Sequence, residues 1–127
     1  MPLDATHRAP LTREDAAGWA ALGTAAGTAA AGLLGVLLDA AGPRGAGTGV
    51  PVHDALCVAA LADPAVLTTA ERVVTVETAD PDRWGATTVR PPVPAEDARP
   101  VRVAVDADPA AFRAALRAAL SRGPSTP

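Results

Sequence analysis

Residues 49–61 read Gly49-Val50-Pro51-Val52-His53-Asp54-Ala55-Leu56-Cys57-Val58-Ala59-Ala60-Leu61. A glycine-rich loop gives way here to an apolar helix, which we expect to begin near Asp54 and to end before Asp63-Pro64. His53 and Asp54 then lie side by side at a helix N-terminus, where both can face a cleft. An imidazole that donates protons beside a carboxylate that binds metals is a catalytic combination. The other parts of a site must be sought in the rest of the chain.

Two helices are predicted on the N-terminal side of this stretch. The first begins at Thr12, a good N-cap that acidic residues follow in the first turn, and it runs to about Leu22. The second runs to about Ala41 and stops at the Gly-Pro pair that follows. Residues 42–50 are predicted to form a glycine-rich loop that leads into the third helix.

Strands are predicted on the C-terminal side. The β-branched stretch Arg72–Thr78 predicts a first strand, Ala86–Arg90 predicts its partner, and the alternation in Val101–Asp106 predicts a third. Asp108-Pro109 then opens the last helix, with aspartate as the N-cap and proline at the first helical position. This helix is predicted to end at Gly123-Pro124.

The order of these elements predicts an α/β fold with an open sheet, about three strands and four helices. Three strands are few for a self-sufficient domain, because a sheet edge and one side of the helical layer stay uncovered. We therefore expect an incomplete part of a larger fold. Residues 1–122 are predicted to form that part, and residues 123–127 are predicted to be a disordered tail.

Composition and charge argue against several classes of protein. The net charge of -3 argues against a nucleic-acid-binding surface. The single cysteine, Cys57, cannot form an internal disulfide, and we expect it to be a small buried hydrophobe on the third helix. This favours a reduced, cytoplasmic setting. The N-terminal residues Met1–Asp4 do not resemble a signal peptide.

One segment is long enough to cross a membrane, because residues 16–38 carry no charged side chain. Most of this segment is alanine, glycine and threonine, which insert weakly, and its strong hydrophobes cluster in Leu33–Leu38. Two small-residue helices packed closely together are the better interpretation. A small membrane-associated protein is the weaker one.

Each candidate site residue also has a simpler interpretation. Asp54 can be a helix N-cap rather than a ligand of calcium or magnesium. His53 can be bonded to a loop carbonyl rather than donate a proton to a substrate. His7 is expected to be structural. The remaining acidic pairs are explained as caps, turns or solvated loops, and none builds a metal cage.

Five stretches, in order along the chain, resemble the C-terminal part of the inosine–uridine preferring nucleoside hydrolase family. Pro2–His7 is similar to the family's "LDVTH" strand end, with Leu11-Thr12 as the helix start after it, and Val50–Asp54 is similar to its His-Asp motif. Val74–Thr78 is similar to its "VDVET" strand, and Arg83–Val89 is similar to its "TRGMTVV" stretch. Val101–Asp106 with the last helix is similar to its closing strand and helix. The likeness covers nearly all of this chain but only the last part of the family's fold.

The resemblance implies hydrolysis of the N-glycosidic bond of ribonucleosides to ribose and free base. It implies that His53 is the general acid for the departing base and that Asp54 is a carboxylate ligand of a calcium ion. The family's aspartate cluster, "DxDxxxDD", supplies most metal ligands and the base for water, and it has no match here. Ala55 stands where a proline is common, and the chain has no tyrosine. Substrate-binding residues and base preference therefore stay unassigned.

The missing aspartates lead us to expect that this chain alone is inactive, although the family that it resembles is one of enzymes. It would be a truncated gene product, the result of a mis-called start, or part of a split enzyme that an N-terminal chain completes. The alternative from a different class is a non-catalytic remnant that associates with itself or with another protein.

Overall fold

The structure, a computed structural model, describes residues 1–42, 49–93 and 99–122. In chain order its helices and strands are α1 (Leu3–Thr6), α2 (Arg13–Ala20), α3 (Ala25–Ala41), α4 (His53–Ala62), β1 (Leu67–Val76), β2 (Thr87–Arg90), β3 (Val101–Ala107) and α5 (Pro109–Leu120). Short 3-10 turns precede β1 and β2. The predicted α/β class with an open three-stranded sheet is confirmed, and the four predicted helices correspond to α2 through α5.

The N-terminal residues 2–7, which resemble a strand end of the family, form the helical turn α1 instead. Pro2 has the extended backbone of an N-cap residue. The N–H of His7 donates to the carbonyl of Leu3 at 3.0 Å, and the Thr6 hydroxyl donates to the same carbonyl at 2.8 Å. These local bonds close one helical turn. Thr6, at the end of this turn, is buried.

The uncharged segment 16–38 is divided between α2 and α3. Thr12 is the N-cap of α2, as predicted, and α2 ends at Ala20 rather than at Leu22, because the chain reverses at Gly23 with φ of 69°. No helix within the described ranges is long and apolar enough to cross a membrane.

The helices α2 and α3 pack closely, as the small residues predict. Thr24 is the N-cap of α3, and its hydroxyl accepts the N–H of Gly27 at 3.0 Å. A Cβ atom at Gly27 would lie only 2.5 Å from the carbonyl oxygen of Trp19 on α2. Glycine is therefore needed where the two backbones meet.

The start of α4 is fixed by a backbone bridge to the segment before α2. Leu11 and Val50 each donate an N–H to the other's carbonyl at 2.9 Å. Gly49, with φ of 77°, makes this approach possible, because a Cβ atom there would lie 2.5 Å from the Leu11 carbonyl oxygen. Val52 is the N-cap of α4. Residues 43–48 of the predicted loop lie outside the described residues.

The sheet is antiparallel, with the order β2-β1-β3. Residues 73–76 of β1 pair with β2, which confirms the predicted partnership. Residues 67–72 pair with β3, so β1 begins well before the predicted start. β1 also ends at Val76, before the predicted end at Thr78. A turn follows directly, in which the Glu77 carboxylate accepts two backbone N–H groups.

The core lies where α2 to α5 meet and is centred on Phe112, which is 1% exposed. On α5, Leu116 and Leu120 also pack against this core, whereas Ala119 is exposed. On α4, Leu56 and Ala59 are buried in the core, and the partly buried Ala55 and Ala60 pack against it. The predicted tail at residues 123–127 lies outside the described part of the chain.

The expectation that Cys57 is buried is wrong. Its thiol is partly exposed and lies 4.0 Å from the thioether sulfur of Met1. Leu56 and Ala59 are three positions apart and so share the buried face of α4, which places Cys57 beside that face rather than on it.

Candidate active site

His53 is the first residue of α4, and its ring meets the end of α1. The hydroxyl oxygen of Thr6 lies 2.6 Å from Nδ1 of His53, in a hydrogen bond between residues 47 positions apart. Thr6 is buried and His53 is half-buried. The loop carbonyl of the simpler interpretation is therefore not the partner of this histidine. The ring is held on its Nδ1 side by a side chain that is itself fixed to α1.

His7 lies beside His53, although the sequence suggested only a structural role for it. The two ring centroids are 5.5 Å apart, and the ring planes are inclined by 31°. These are the only two histidines of the chain. The end of α1 and the start of α4 thus bring together both of its imidazoles and one buried hydroxyl.

Asp54 is the second residue of α4 and is not its N-cap. The N-cap is Val52, which makes no side-chain capping bond. The Asp54 carboxylate is exposed and forms no hydrogen bond or ion pair within the described ranges. It borders an apolar cavity between α4 and α5. The simpler interpretation of Asp54 is therefore wrong, and its negative charge near a helix N-terminus is left available for another partner.

Several of the other acidic residues act as caps or bind the N–H groups of turns, two of the roles that the sequence predicts for them. Asp15 completes the capping box of α2, and Asp80 accepts the N–H of Asp82 at 3.0 Å in a 3-10 turn. Asp108 is the N-cap of α5 and accepts two N–H groups. The acidic pair at residues 96 and 97 lies outside the described residues.

A complete calcium site does not fit the residues that the structure describes. Calcium takes about six to eight oxygen ligands, among which carboxylates are prominent. Nowhere in residues 1–42, 49–93 and 99–122 do three or more histidine, cysteine, aspartate or glutamate side chains come close enough to hold a metal. Asp54 by itself can supply only one of the carboxylate ligands that such a site needs.

The family model described as inosine-uridine preferring nucleoside hydrolase matches residues 1–114. The chain belongs to this family. The match includes α1 with Thr6 and His7 and the start of α4 with His53 and Asp54, so the whole candidate site lies inside it. Nucleoside hydrolases are glycosidases, and the His-Asp pair lies within the matched residues.

A solved nucleoside hydrolase structure supports the same fold. The purine-preferring ribonucleoside hydrolase from Gardnerella vaginalis matches with a TM-score of 0.74 and 27% sequence identity. The match covers 94% of this chain and 38% of that chain, so this chain spans well under half the length of its structural relative. A search of the curated proteins found no match.

Two residues at the site were not assigned a functional role from the sequence. Thr6 lay inside a stretch that resembles the family, but nothing in its local pattern indicates a contact with His53. His7 follows it directly. The only available hint in the sequence was that the chain has two histidines, which could lie together in one site. This hint is weak because the sequence does not specify how α1 packs against α4.

Proposed function

We propose that this chain supplies the leaving-group acid and one metal-binding carboxylate of a nucleoside hydrolase site. The reaction is hydrolysis of the N-glycosidic bond of a ribonucleoside to ribose and free base. The observation that carries the proposal is the half-buried His53, held through Nδ1 by Thr6 at the start of α4, inside a segment that matches the family.

The chemistry needs an acid because a nucleobase is a poor leaving group until its ring nitrogen is protonated. An imidazole has an ordinary pKa near neutrality, so it can hold a proton and release it to the base in the transition state. Thr6 occupies the Nδ1 side of His53. The opposite nitrogen, Nε2, is the one that can reach a substrate.

Asp54 is proposed as one carboxylate ligand of a calcium ion. Its exposed carboxylate has no partner in the described ranges, which suits a ligand. The remaining oxygens and the base that activates water must come from other residues, because Asp54 is one carboxylate where several are needed. We therefore propose that the 127 residues alone do not turn over nucleosides.

The proposal is tested with a chimaera in which this chain replaces the segment it matches in the Gardnerella vaginalis hydrolase. Inosine and uridine hydrolysis with calcium should be absent for this chain alone and present for the chimaera. Turnover by this chain alone that His53→Ala abolishes would contradict the proposed need for further carboxylates.

The role of Asp54 has its own test in the chimaera. Asp54→Asn should weaken calcium affinity about tenfold or more, by analogy with the loss of other metal-site groups. Glu14→Gln is the matched control, because Glu14 is exposed on α2 and belongs to no site. Equal calcium affinity of Asp54→Asn and wild type, measured by calorimetry, would remove Asp54 from the metal site.

Exposed apolar side chains favour a second candidate function, association with a partner chain or with itself. They are Leu33, Val36 and Leu37 on α3 and Val58 and Leu61 on α4, of which Leu61 is 87% exposed. A stable oligomer that ignores calcium in sedimentation experiments supports a non-catalytic remnant. A monomer that binds calcium only when mixed with the aspartate-rich remainder of a family member supports a split enzyme.

We also propose a cytoplasmic setting without a nucleic-acid partner. The single cysteine cannot form an internal disulfide, which suits a reduced compartment. The net charge of -3 disfavours binding to a polyanion. Cell fractionation with an antibody against the chain tests the location.

A further inference from the structure

The Thr6 hydroxyl makes two short contacts but has a single hydrogen. Its oxygen lies 2.8 Å from the carbonyl oxygen of Leu3 and 2.6 Å from Nδ1 of His53. A carbonyl oxygen only accepts hydrogen bonds, so the hydroxyl hydrogen must point to Leu3. The contact with His53 then needs its hydrogen from the ring, and Nδ1 must carry it.

We infer that Thr6 is a positioning residue that holds the neutral imidazole of His53 in the Nδ1–H tautomer. Nε2 is then the nitrogen that gains and loses the exchangeable proton. Thr6 is only 4% exposed, so water does not compete freely for its oxygen. The link from this tautomer to catalysis rests on the proposed function, whereas the tautomer itself does not.

The tautomer suits a leaving-group acid. In the proposed reaction the Nε2–H bond breaks as a new N–H bond forms on the nucleobase, and the electron pair of the N-glycosidic bond goes to the departing nucleobase. The ribosyl carbon gains an oxygen from water, whose proton goes to the general base that other residues supply. The imidazolium becomes a neutral imidazole that keeps its Nδ1 hydrogen. This product is the tautomer that Thr6 already stabilises, so no ring rearrangement follows proton transfer.

Nitrogen NMR of the full 127-residue chain tests the inference directly. The chain is labelled with 15N-histidine, and long-range proton–nitrogen correlations are recorded at a pH high enough for the spectrum itself to show that both rings are neutral. His7→Gln separates the two sets of signals. We expect a pyrrole-like Nδ1 and a pyridine-like Nε2 for His53, with a preference of roughly fivefold or more, as one net hydrogen bond provides.

Variants of Thr6 show whether the hydroxyl is the cause. Thr6→Val keeps the shape and removes the oxygen, so the His53 tautomer ratio should move toward that of His7, whose ring has no hydrogen bond within the described ranges. Thr6→Ser should restore the Nδ1–H tautomer. A destabilised Thr6→Val chain does not weaken the test, because the wild-type spectrum decides the tautomer by itself.

Two results would overturn the inference. One is a pyrrole-like Nε2 in the wild type, which means that Thr6 donates to the ring. The other is an unchanged tautomer ratio in a folded Thr6→Val chain. Neither measurement uses a substrate, so the inference can fail while His53-dependent nucleoside hydrolysis by the chimaera stands, and it can hold while that activity is absent.

Discussion

Arg113 on α5 and Asp15 on α2 form an ion pair between residues 98 positions apart. The Arg113 Nε lies 3.0 Å from Oδ1 and 3.1 Å from Oδ2 of Asp15, and its Nη2 donates to the carbonyl of Pro10 at 2.7 Å. The Asp15 side chain is 14% exposed and also accepts the N–H of Thr12 at 2.8 Å. The pair therefore joins the last helix to the segment that connects Thr6 with α2.

Loss of this pair should destabilise the fold. Arg113→Ala removes charge-assisted bonds to Asp15 and to Pro10, so we expect the free energy of unfolding to fall by about 1–3 kcal/mol. Arg117→Ala is the matched control on the same helix, because Arg117 is exposed, and its effect should stay within about 0.5 kcal/mol. Urea unfolding followed by circular dichroism measures both. Equal effects of the two substitutions would show that the ion pair contributes nothing specific.

Gly49→Ala should disrupt the bridge before α4. The positive φ and the 2.5 Å approach to the Leu11 carbonyl oxygen lead us to expect a loss of about 2–4 kcal/mol. Gly32→Ala is the control, since Gly32 lies exposed on α3 with nothing within 4 Å of an added Cβ. That substitution should stabilise by about 0.5–1 kcal/mol. A Gly49→Ala chain as stable as wild type would show that the Leu11–Val50 bridge is dispensable.

Glu77 should titrate below the ordinary range of a glutamate. The N–H of Ala79 and then that of Asp80 donate to its carboxylate and lower its pKa. Because the folded-state pKa is lowered, the stabilisation is present above the unfolded-state pKa and is lost as the pH falls through the folded-state pKa. Carboxyl carbon NMR measures the value directly.

Glu77→Gln supplies the matching control for stability. It removes the titrating group but keeps an acceptor oxygen. Near neutral pH, where wild-type Glu77 is ionised, the variant should therefore have a lower unfolding midpoint than wild type. That difference should shrink as the pH falls through the folded-state pKa of Glu77. A difference that does not change with pH would mean that the charge of the carboxylate is irrelevant to the turn.

Local chemistry made the helix starts predictable from the sequence. Thr12 and Asp108 are the N-caps they were predicted to be, because capping depends on a few neighbouring residues. The first half of β1 was missed. Residues 67–71 include alanine and glutamate, which are poor strand formers, and they become a strand by pairing with β3 much later in the chain.

The site was predictable only in part for the same reason. His53 and Asp54 are adjacent and stand at a recognisable loop-to-helix junction, so the sequence indicated both. The contact of Thr6 with His53 depends on how α1 packs against α4, which no local pattern specifies. Asp54 is a plausible N-cap by composition, but α4 begins one position earlier than expected and Val52 takes that place.

The role of His53 as leaving-group acid is tested most directly by comparing two ribosides in the chimaera. Inosine needs protonation of its base, whereas p-nitrophenyl riboside releases a stable anion without it. His53→Ala should lower kcat for inosine by about 100- to 10,000-fold and leave kcat for p-nitrophenyl riboside nearly unchanged. Equal losses for both ribosides, or no loss for inosine in a folded, calcium-bound chimaera, would contradict the assignment of His53 as the acid.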